Sequence, residues 1–68
     1  MNGFRDIMGH SANYQIVLYT KDLERLARKL EAQGTVLRQN GCSALALSVF
    51  DQAQQLRIAI EALKQVIK

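Results

Sequence analysis

Apolar positions along this chain recur with two different periods, and the change from one to the other falls near Asn40-Gly41. Between Thr20 and Gln33, Leu23, Leu26, Ala27 and Leu30 keep helical spacing. Thr20 is placed to cap that helix, Asp22 sits in the first turn where the dipole favours a carboxylate, and Gly34 is placed to end it. Upstream, Tyr14-Gln15-Ile16-Val17-Leu18-Tyr19 is β-branched and aromatic, the composition of a strand. Downstream, Leu45, Leu47 and Val49 alternate with Ala44, Ala46 and Ser48, the period of an extended segment. Asn-Gly suits the two positive-φ positions of a type I′ hairpin turn, which would pair residues 35–39 with the alternating run. Asp51 and Gln54 have capping-box spacing and would open a last helix with Leu56, Ile60, Leu63 and Ile67 on one stripe.

These elements predict an α+β fold of order βαββα. A right-handed crossover followed by a hairpin gives a three-stranded antiparallel sheet of order 1-3-2, with both helices on one face. The expected core is Val36, Leu45, Leu47 and Val49 beneath Leu23, Leu26, Leu30, Leu56, Ile60 and Leu63. The order resembles truncated ferredoxin-like domains. The run Val36-Leu37-Arg38-Gln39-Asn40-Gly41-Cys42-Ser43 is similar to the hairpin of small messenger-RNA interferase toxins of the HicA type. Cys42-Ser43 stands where those enzymes use a histidine, so the resemblance does not imply their activity.

A second fold satisfies the same residues. Ile16, Tyr19, Leu23, Leu26, Leu30 and Leu37 fit a heptad interrupted by Gln33, and Val49, Ala53, Leu56, Ile60, Leu63 and Ile67 fit another. Two long helices joined near Asn40-Gly41-Cys42-Ser43 would form an antiparallel hairpin that dimerises into a four-helix bundle, with Gly41 as helix stop and Ser43 as N-cap. The strand-like composition of residues 14–19, Gly34-Thr35-Val36 and the cap sites at Thr20 and Asp51 favour βαββα.

In the βαββα fold the sheet face away from the helices carries Thr35, Leu37, Ala44, Ala46, Ser48 and Phe50, with either Val17 and Tyr19 or Ile16 and Leu18 from the first strand, the first pair being taken for the interface. This face is almost free of charge and its edge strand is unprotected, so it is the expected dimer or partner interface. At 68 residues, 49% of them apolar, the chain is long enough for one domain with a small core, which makes a homodimer the expected state. Residues 1–12 are expected as a flexible leader and residues 13–68 as the domain.

Charge and chemistry add little. The net charge is +3, without a clustered block, and Arg25, Arg28, Lys29 and Arg38 are the residues that could meet an anionic partner. A lone His10 lacks ligand-spaced partners, so neither a metal site, a cofactor nor general acid-base catalysis is expected. The single cysteine gives no internal disulfide, and no run approaches the roughly 20 apolar residues of a membrane span, so a cytoplasmic protein without membrane contact is expected. The expected function is a non-enzymatic protein-binding module, a dimeric regulator or inhibitor of another protein. Nucleic-acid binding through the basic helix face is the alternative, and a thiol-dependent carrier or enzyme using Cys42 the third.

Overall fold

The structure is a computed structural model that describes the backbone of residues 2–66 and the side chains of residues 12–66. It consists of two helices, α1 (Asn2–Gln39) and α2 (Ser43–Val66), joined by residues 40–42. No strand occurs among the described residues. The βαββα order, its 1-3-2 sheet and the ferredoxin-like resemblance are therefore corrected to an all-helical hairpin, the arrangement given above as the second fold.

The correction starts at Asn40-Gly41. A type I′ turn needs positive φ at both central residues, yet of the two only Gly41 has it, at 82°, and no non-glycine among the described residues does. The Cys42 amide donates to the Leu37 carbonyl at 2.8 Å and the Gly41 amide to that of Arg38 at 3.2 Å. These nested bonds form a Schellman motif, in which a glycine just past the helix end turns the chain and satisfies carbonyls of the last turn. Asn40 reinforces it by donating from Nδ2 to the Val36 carbonyl at 2.9 Å. The dipeptide thus stops a helix instead of pairing two strands. In α2 the Ala46 amide donates to the Cys42 carbonyl at 2.9 Å, which puts Cys42 at the cap position, one residue before the expected Ser43.

The other expected boundaries lie inside helices. Thr20 Oγ1 donates to the Ile16 carbonyl at 2.7 Å and Thr35 Oγ1 to that of Glu31 at 3.1 Å. Each hydroxyl is satisfied one turn back, so a threonine interior to a helix leaves no unpaired group. Asp51 and Gln54 are exposed in the middle of α2. Gly34 is buried, and a Cβ added there would stand 2.8 Å from Phe50 Cε1. Its missing side chain lets a ring of α2 lie against the backbone of α1.

Buried residues recur every seven positions, as Thr20, Ala27 and Gly34 in α1 and Ala46, Ala53 and Ile60 in α2. If these are the a positions of a heptad a–g, five of the six are small, which allows the helix axes a close approach. Contacts between e positions set the register: Arg38 over Phe50, Glu31 with Arg57, and Glu24 with Lys64. Each step of seven down α1 matches seven up α2, as an antiparallel pair requires. At 1.5 Å per residue α1 is about 57 Å long and α2 about 36 Å, so roughly 21 Å of α1 projects beyond its partner. The heptad fades over that projection, where Asp6 and Asn13 hold a positions and Gly9 a d position.

The expected leader, residues 1–12, falls mainly on side chains outside the described residues, as do His10 and Ile67; its backbone from Asn2 continues α1. The expected core changes as well. Ile60 is inside, but Leu26, Leu45 and Leu47 are 46%, 58% and 71% exposed, and no large side chain is fully buried among the described residues.

Candidate functional site

The seam of small residues separates two flanks of opposite chemistry. On the e flank Arg57 donates from Nε to Glu31 Oε2 at 2.7 Å and from Nη2 to Oε1 at 2.6 Å, a two-pronged ion pair across the helices. These bonds hold the Glu31 carboxyl below the usual carboxylate range and raise the Arg57 guanidinium above its ordinary value. Lys64 Nζ lies 3.9 Å from Glu24 and 3.7 Å from Glu61. Nearer the connection, the Arg38 guanidinium stacks over the Phe50 ring, 5.6 Å from its centre. The charged groups at the e positions, Glu24, Glu31, Arg38, Arg57 and Lys64, find their partners within the hairpin.

The d and g positions make up the other flank. In α1 the d positions are Ile16, Leu23, Leu30 and Leu37, and in α2 they are Val49, Leu56 and Leu63, all half-buried. Outside them run Tyr19, Leu26 and Gln33 on α1 and Leu45, Gln52, Ala59 and Val66 on α2, all exposed. No charge occupies any of these positions; apart from the Tyr19 hydroxyl, Gln33 and Gln52 carry the polar groups. An apolar hollow lined by Ala32, Gln33, Val36 and Leu37 widens the flank near the connection. A contiguous uncharged surface of this kind, beside a flank whose charges are already paired, is suited to packing against further helices.

The expected interface residues are not brought together. Tyr19 and Leu37 lie on the apolar flank, whereas Val17 is half-buried on the ion-pair side and Phe50 packs near Gly34 and under Arg38. Ala46, 2% exposed, is in the seam, and Ala44 and Ser48 are exposed on the back of α2. Sheet parity had sorted these residues by twos, and a helix distributes them around its circumference. The flank leucines on α2 and the seven-residue spacing of Thr20, Ala27, Gly34 and of Ala46, Ala53 were the signal that parity obscured.

Among the expected basic residues, Arg25 and Arg28 line a shallow polar depression with Lys21 and Glu24, and Arg25 Nη1 pairs with Asp22 at 3.2 Å. Lys29 is exposed nearby, while Arg38 is set apart by its stacking on Phe50. Cys42 is exposed in the connection. Among the described residues there is no group of three metal-ligating side chains and no helix long and apolar enough to cross a membrane. The chain matches no protein-family model, and no curated protein or solved structure is found similar to it.

Proposed function

We propose that this chain is a non-enzymatic, cytoplasmic protein-interaction module that acts by pairing helices through its d/g flank, as a regulator of protein assembly and not as a catalyst. One observation carries the reading: the large side chains at the g positions Tyr19, Leu26, Leu45 and Val66 are left exposed on an uncharged flank, while the ionic groups at the e positions opposite are partnered across the hairpin. Exposed aliphatic residues scattered singly need no explanation, but a continuous row beside half-buried leucines favours a covering surface. The basic cluster supports nucleic acid less well, because Asp22 and Glu24 are interleaved with Lys21, Arg25 and Arg28 and no aromatic group lines the depression for base stacking.

The test uses positions that are exposed in the hairpin, so that folding is spared. Leu26→Lys and Leu45→Lys place charge on the flank, and Leu47→Lys and Ile58→Lys place it elsewhere on α2. Size-exclusion chromatography of cytosol expressing each chain should show the wild type and the two controls in an assembly larger than 7.6 kDa, with the flank variants released from it. Equal elution of all five chains would contradict the reading.

A further inference from the structure

We infer that the occupant of the d/g flank is a second copy of this chain, packed face to face with both connections at the same end, so that Gln33 of each copy meets Gln52 of the other. The inference rests on the helix-pairing reading and names the partner and its geometry. Three observations support it. First, the seam buries mostly alanine, glycine and threonine, so the hairpin cannot rely on an occasional target for its core. A second copy is the one partner present whenever the chain is made, and two-fold pairing is the commonest assembly. Second, the flank from Ile16 to Leu37 is roughly 33 Å long, and the molecule is 16 Å across. Two such faces together bury about 1,000 Å², the lower end of what a specific interface needs.

Third, the two glutamines form one off-centre polar layer. With the connection centred at residues 40–42, Gln33 and Gln52 stand within about one helical turn of the same height, nearer the connection than the middle of the flank. A two-fold axis parallel to the helices sets α1 of one copy against α2 of the other at equal height, which overlaps the flanks fully and brings Gln33 to Gln52 twice. Each amide both donates and accepts, so each pair satisfies itself. If the second hairpin points the other way, each helix lies on its own copy, full overlap sets Gln33 near Tyr19 and Gln52 against Ala59, where its amide has no polar partner, and aligning the amides shortens the overlap. A single polar layer in an apolar helix interface fixes register and orientation in this way.

Sedimentation equilibrium of the purified full chain tests the occupant, and charge substitutions test the geometry. The wild type should have twice the 7.6 kDa chain mass. Gln33→Lys alone and Gln52→Glu alone should each weaken association about tenfold or more, and the double variant should recover to within about threefold of wild type, since opposite charges then meet. A spin label on Cys42, the only cysteine, should report a separation between copies under about 25 Å, whereas opposed hairpins would exceed about 36 Å, the length of α2. A monomer across the micromolar to millimolar range overturns the second copy; if the cytosolic assembly persists, the helix-pairing reading survives it. A dimer whose double variant is as weak as either single, or whose labels are far apart, overturns the Gln33–Gln52 geometry.

Discussion

At Gly34 a single hydrogen in place of a side chain determines how closely the helices pack. A Cβ there would fall inside the van der Waals envelope of the Phe50 ring, over which the Arg38 guanidinium also lies. Glycine in a helix interior costs about 1 kcal/mol relative to alanine, so its presence is offset by the packing it permits. A larger side chain has to push the ring or the helices apart, and overpacking of this kind costs about 1–3 kcal/mol. Gly34→Leu should therefore lower the urea midpoint despite leucine's better helix propensity, and the loss should shrink when Phe50→Ala is added. A Gly34→Leu chain as stable as wild type would show that the seam is looser than described. The Glu31–Arg57 pair plays a different part, since both groups keep access to water and its value lies more in fixing the register of the helices than in net stability.

At the scale of the elements, the connection shows how the same residues can encode two folds. Gly41 has φ at 82° with open space around the missing Cβ, so a substitution there meets backbone strain and no steric clash. Gly41→Ala should destabilise the hairpin by about 1–2 kcal/mol in chemical denaturation, and Gly41→Asn by less; equal stability of all three would mean that the Schellman geometry is absent. The C-terminal part of α2, with its stripe at Leu56, Ile60 and Leu63, was legible from spacing, whereas Gly41 as helix stop belonged only to the second fold and the favoured reading ended α1 at Gly34. What misled was local. Leu45, Leu47 and Val49 alternate over five residues only, and Ala44 and Ala46 flanking Leu45 are the strongest helix formers, the second of which is needed in the seam. Leu47, 71% exposed, is the residue that alternation explained and the helix leaves outside. Residues 14–19 have strand composition, yet they continue a helix whose neighbouring turns pack on α2, and tertiary context outweighs propensity there. The candidate interface was less legible than the fold, because its expected members came from sheet parity and the flank that replaces them depends on which heptad position faces inward.

For the whole molecule the relevant comparison is between what the hairpin buries and what ordering it costs. Fixing each backbone residue costs about 1–2 kcal/mol, whereas fully burying a large aliphatic side chain contributes about 1.5–3 kcal/mol. Of the large aliphatic residues described, Ile60 alone is buried, and the leucines of the d positions are half in water. Covering the flank would complete their burial, so folding and association should be one process with a shared dependence on concentration. The most direct measurement is the thermal melt of the purified chain, followed by circular dichroism at 222 nm over a hundredfold range of concentration. If the apolar flank must be covered by another copy, the midpoint rises with concentration, by about 10 °C across that range, and Leu26→Lys lowers it and removes the dependence. A sharp melt at the same temperature at every concentration would show that the hairpin sustains itself with its flank uncovered, and would contradict the account.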